Sequence, residues 1–153
     1  MDVRVQIFDR LLEVAVLLQH DLGRSLGALG LTTARAHLLW ELHRLGPSTQ
    51  RDLAAELRVS PRNVTGLVDA VEAAGFAERR SHPSDRRATL VVLTEHGRST
   101  MEQMERDHER AAEQLCGDLD TDQLEDFART LDTVAERLRQ LVAATATTPP
   151  RDA

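Results

Sequence analysis

Two short helical patterns joined by a three-residue turn, followed at once by an arginine-bearing loop and a β-branched run, leave this chain few ways to fold. From Asp52 to Arg80 the segment DLAAELRVSPRNVTGLVDAVEAAGFAERR reads as helix, turn, helix. Ser60 is placed to cap the second of these helices, with Pro61 in the favoured first position. Within it Val64, Leu67, Val68 and Val71 fall at i, i+3, i+4 and i+7, one inward stripe that turns Arg62, Thr65, Gly66, Asp69 and Ala73 outward. Leu53, Ala54 and Leu57 supply the facing contact, with the small Ala54 where two helices must approach closely. The turn Arg58-Val59-Ser60 has no glycine, so its first residue must reach its backbone geometry with a side chain attached. Ser81 to Gly97, SHPSDRRATLVVLTEHG, then gives a polar turn, an extended aliphatic run and a helix start, the outline of a β-hairpin wing.

The remaining pattern is helical. Phe8, Leu11, Ala15, Leu18 and Leu22 recur at steps of three and four in a first helix over 4 to about 27. Thr32 is expected to cap a second helix, stopped near Leu45 by Gly46 and Pro47, and Ser48 is expected to cap a third. Thr94 opens a fifth helix, a sixth runs from about Thr121 to Ala144, and 145–153 reads as a disordered tail. In the sixth, Leu124, Phe127, Leu131, Val134, Leu138 and Leu141 form a heptad seam; Met101, Met104, His108, Ala111 and Leu115 do the same in the fifth. Stripes this narrow on long helices need partner helices. The fold class expected is mainly α with a small β-hairpin wing: 31–97 a winged helix-turn-helix lobe, and 1–30 with 98–144 a helical dimerisation module.

Composition agrees. Only 3% of the residues are aromatic against 41% hydrophobic overall, so the core must be chiefly Leu, Val and Ala, which favours helix on helix. The longest apolar run, Val14 to Leu18, is too short for a membrane span, no signal region precedes it, and a cytoplasmic location is expected. Cys116 is the lone cysteine and cannot staple the domain. The net charge of −6 is unevenly spread: Ser48 to Arg98 holds eight arginines against seven acidic residues, a balance of +1 that leaves −7 elsewhere. Four of those arginines, Arg79, Arg80, Arg86 and Arg87, crowd into nine positions, which suits attraction to phosphate at one end of the molecule. A solvated charged hairpin is the plainer alternative.

The order Asp85, Arg86, Arg87, then hydrophobic residues to Leu93, Thr94 and Gly97 resembles the wing signature of MarR-type transcriptional regulators. The stretch from Asp52 to Arg80 is similar to the same family's helix-turn-helix. The resemblance implies DNA as partner, dimerisation through the terminal helices, and a small, often aromatic or anionic effector bound between the dimer module and the DNA lobe. It also implies that Arg87 enters the minor groove. That family's peroxide sensors carry a reactive cysteine near the N-terminus, whereas Cys116 falls late in the chain.

The residue chemistry suits DNA. Arg62 can fork onto guanine, Asn63 can meet adenine or a phosphate, and Thr65 can offer a hydroxyl or a methyl to a base edge. Ser60 can be a plain cap or can help the helix N-terminus meet a phosphate. Asp85 and Arg87 leave one face of an extended chain, so the carboxylate is expected to orient the guanidinium; Arg86 points to phosphate or solvent. Candidates for the effector are His20, Arg24, His37 and Trp40, with His43 nearby, although a core Trp beside a surface His fits the same pattern. His37 with Glu41 is half a metal pair, no Cys-x-x-Cys is present, and no nucleophile elbow or phosphate loop occurs, so no cofactor, metal or catalysis is expected. The sum is a homodimeric repressor of a palindromic operator that responds to a ligand; a regulator without ligand, or a winged-helix module that grips protein, uses the same features.

Overall fold

A computed structural model describes residues 2–85 and 87–146, without the side chains of 145 and 146. Its elements run α1 (Val3–Ala28), α2 (Thr33–Leu45), β1 (Ser48–Thr49), α3 (Gln50–Leu57), α4 (Pro61–Ala73), β2 (Ala77–Ser81), β3 (Thr89–Leu93), α5 (Glu95–Cys116) and α6 (Thr121–Ala146). Helix α6 continues two residues beyond its expected end, and 147–153 lie outside the described residues. The chain divides into two compact units, 1–104 and 105–153.

The first unit holds the core. Leu38, Leu39 and Leu42 of α2 meet Leu53 and Ala54 of α3 and Val64, Val68 and Val71 of α4, and Phe76, Val91, Leu93 and Met101 join them. The stripe read from the sequence of α4 is therefore the face that is buried. Arg44 clamps α2 to α3, its Nη2 lying 2.7 Å from Glu41 and 3.1 Å from Glu56. Met101 is fully buried and Met104 packs against the same core, so the start of α5 belongs to this unit. The seam expected along α5 is interrupted there, because its first two positions already have partners.

Strands β1, β3 and β2 form an antiparallel sheet in that order, with Ser48 opposite Val91 and Ala77 opposite Leu93. This pairing corrects the expected cap of α3. Ser48 is extended and buried in the sheet, its Oγ donating to the Gly46 carbonyl at 2.9 Å, and the cap passes to Thr49, whose Oγ1 accepts from the Asp52 N–H at 3.1 Å. Thr32 and Ser60 cap α2 and α4 as expected.

Helix α5 begins tightly against the segment that links α4 to β2. A Cβ on Gly97 would lie 1.9 Å from the Phe76 carbonyl oxygen, far inside contact distance, so only glycine fits. The same carbonyl accepts from Thr94 N–H at 3.0 Å, while His96 stacks on Phe76 with ring centroids 4.9 Å apart.

Among the described residues, α6 in the second unit contributes no buried side chain. Its six seam positions are between 38% and 58% exposed, which leaves an apolar stripe on a helix whose other face is charged.

Candidate nucleic-acid interface

Helix α4 presents its recognition face because its opposite face is committed to the core. Arg62, Asn63, Thr65, Gly66 and Asp69 are all exposed. Ser60 Oγ accepts from the Asn63 N–H at 3.2 Å, so the cap is made and the hydroxyl stands at the helix start. The turn before it holds Arg58 at φ 53°, ψ 43°, a left-handed conformation otherwise found at glycines among the described residues. Arg58 closes α3 by donating its N–H back to Ala55 and lets Val59 N–H reach Ala54 at 3.0 Å. The missing turn glycine thus has the backbone consequence its sequence implied. No ion pair among the described residues holds Arg62.

Strand parity settles the fate of the arginine cluster. Arg79 pairs with Val91, so its side chain stands on the sheet face turned toward the helices. There its Nη2 reaches Asp69 at 2.6 Å, its Nη1 bonds Glu72, and its Nε and Nη2 lie 3.1 and 3.0 Å from Gln50 Oε1. Glu72 also accepts the Arg79 backbone N–H at 2.9 Å. Burial alone would lower the pKa of this guanidinium, but its hydrogen bonds to Asp69 and Glu72 outweigh that and hold it above the usual arginine value. Arg80, on the other face, bonds Glu78 through Nε at 2.7 Å. Of the four clustered cations, Arg79 is therefore tied into the fold, a correction to the cluster read as a phosphate-facing patch, while Arg80 stays exposed beside Glu78 of its own strand. Gln50 went unnoticed in the sequence, since nothing local marks a glutamine at a helix start as the joint between a strand and a neighbouring helix.

In the wing the polar turn is built by side chains. His82 Nδ1 accepts from the backbone N–H groups of Ser84 and Asp85 at 3.2 and 3.1 Å, which places the ring proton on Nε2. Asp85 Oδ1 accepts from the Arg87 backbone N–H at 2.9 Å, and the Asp85 carbonyl accepts from Ala88 at 3.1 Å. The carboxylate thus grips the backbone of Arg87, where the sequence led us to expect a grip on its guanidinium; a short Asp side chain reaches the amide two residues on more readily. The Arg87 side chain is exposed, and Arg86 lies outside the described residues.

The effector candidates are differently placed. His20 and Arg24 are exposed on α1, where Arg24 pairs with Asp21 at 2.7 Å. On α2, His37 is exposed and 3.7 Å from Glu41, and Trp40 is half-buried against the core, edge-on to His43 at 6.1 Å. Among the described residues no group of three His, Cys, Asp or Glu could hold a metal ion, and no helix is long and apolar enough to cross a membrane.

Comparison with known proteins agrees with this geometry. The MarR family model matches residues 31–89. The HTH-type transcriptional repressor YetL of Bacillus subtilis is 26% identical over 139 residues, 88% of this chain and 81% of the relative. The structure is similar to that of AbsC, a MarR family transcriptional regulator from Streptomyces coelicolor, with a TM-score of 0.69, 29% identity and coverage of 92% of this chain and 97% of that one. It shares its fold with Streptococcus pneumoniae FabT in complex with DNA, with a TM-score of 0.72, 20% identity and coverage of 88% and 99%. The capped α4, the αL turn before it and the three-stranded wing all lie inside or beside the matched stretch. Over residues 31–89 this chain is a winged helix-turn-helix domain of the MarR family of DNA-binding transcriptional regulators.

Proposed function

We propose that the chain acts as a homodimeric, ligand-responsive repressor that occupies a palindromic operator. The observation that carries this reading is the exposed start of α4, where Arg62, Asn63, Thr65 and the Ser60-capped helix end stand together on a helix whose back is locked in the core. Arg62 forks onto guanine, Asn63 and Ser60 meet base or phosphate, and Arg87 carries the wing into the minor groove. Residues 1–30 and 98–144 form the dimer module, supported by the exposed stripe from Leu124 to Leu141. Repression is supported by the similarity to YetL. A small aromatic or anionic effector at His20, Arg24, His37 and Trp40 changes the spacing of the two DNA-binding lobes.

Selection of duplexes from a random pool, followed by titration of the selected site against salt, tests the central step. A steep negative dependence of log affinity on log salt, with a clear preference over random duplex, is expected. A flat salt response would favour the protein-gripping reading of the same helix. Light scattering at micromolar concentration tests the dimer directly.

A further inference from the structure

Thr65 stands on the exposed face of α4, but its hydroxyl is not available as a donor. Its Oγ1 lies 2.9 Å from the Pro61 carbonyl, to which it gives its one proton, and 2.9 Å from Gln50 Nε2, from which it accepts. The Gln50 amide cannot turn over, because its Oε1 accepts both the Nε and the Nη2 protons of Arg79, at 3.1 and 3.0 Å. A flipped amide would set its NH2 group against a guanidinium that has no acceptor. Arg79 is in turn anchored by Asp69 and Glu72, so a chain of bonds from β2 through α3 fixes how Thr65 is presented. What these bonds leave uncommitted on Thr65 is one lone pair of Oγ1 and the Cγ2 methyl.

This decides what Thr65 can read. Guanine O6 and N7, adenine N7 and thymine O4 all need a donor, which the committed hydroxyl cannot supply; its remaining lone pair can only accept from adenine N6–H or cytosine N4–H, whereas the methyl group matches the thymine 5-methyl. We propose that Thr65 is a specificity-determining residue that selects thymine through methyl contact, with Gln50 as the positioning residue that holds it. The proposal rests on α4 being the helix that reads DNA.

The test replaces each thymine of a selected half-site in turn by deoxyuridine, which lacks only the methyl. For the wild-type chain, one thymine position is expected at which the change weakens binding about fourfold per half-site, the effect of one buried methyl-sized group. Thr65→Val keeps the methyl and should keep this sensitivity; Thr65→Ser keeps the hydroxyl and should abolish it. Gln50→Ala should reduce the thymine-to-uracil ratio while leaving binding to random duplex unchanged. Selective binding that is insensitive to uracil at every position, or sensitivity that survives in Thr65→Ser, would overturn the assignment to Thr65. An unchanged ratio in Gln50→Ala would overturn the positioning role. Failure of the wild-type chain to select any duplex would instead overturn the DNA-reading assignment of α4 itself.

Discussion

Arg79→Met separates a cation that serves DNA from one that serves the fold. The guanidinium is 27% exposed and bonds Asp69, Glu72 and Gln50, with Asp69 at 61% and Glu72 at 36% exposure on the acceptor side. A fully buried pair loses about 3–5 kcal/mol when one partner is removed, and an exposed one about 0–1 kcal/mol. With one partner largely buried and the others half in water, the loss should fall between, at about 2 kcal/mol. Met retains most of the aliphatic packing, so the deficit isolates the polar contacts. For a chain of this length each kcal/mol lowers Tm by about 2–4 °C, giving a drop of about 4–8 °C in a thermal melt. The salt dependence of binding should stay the same, because no phosphate partner is lost; a phosphate contact would remove about 0.9 from the slope per half-site. An unchanged Tm together with a slope reduced by about one would refute the internal role and return Arg79 to the interface.

Three further outcomes follow from the same geometry. Arg62→Ala should cost about 1–3 kcal/mol per half-site and relax preference at one base position, with less change on random duplex; equal losses on both would reassign it to phosphate. Arg87→Ala should lower the salt slope by about one per half-site, most visibly on sites with A·T-rich flanks, and Arg87→Lys should restore the slope but only part of the affinity; affinity measured across several salt concentrations decides it. Leu131 and Leu138 are 40% and 58% exposed in the single chain, so each has roughly half of a leucine's burial, about 1 kcal/mol, still to gain. Across four side chains, Leu131→Ala with Leu138→Ala should weaken the proposed dimer by about 4 kcal/mol, or roughly a thousandfold in Kd, visible by light scattering on dilution.

The legible parts of this molecule are those written in local patterns. The buried stripe Val64, Leu67, Val68, Val71, the caps at Thr32 and Ser60, and the side-chain-bearing turn at Arg58 each depend on a few neighbouring residues, and each stands where its pattern placed it. The departures lie where distant segments meet. Ser48 loses the cap of α3 because Val91, far along the chain, recruits it into a sheet. Met101 looks like a seam residue along α5, yet it is fully buried with the helix-turn-helix core.

Charge gives the sharpest contrast. The sequence by itself determined that arginines crowd beside a helix-turn-helix and a wing, since composition and spacing are properties of the chain alone. Only the tertiary structure decided which of them carry free charge outward. Strand register sets Arg79 against Asp69, Glu72 and Gln50, whereas Arg62 stays exposed on α4 and Arg87 in the wing. The physical reason is that a charge is neutralised by whatever lies within a few ångströms of it, and that distance is fixed by the pairing of strands and the crossing of helices, not by position along the chain.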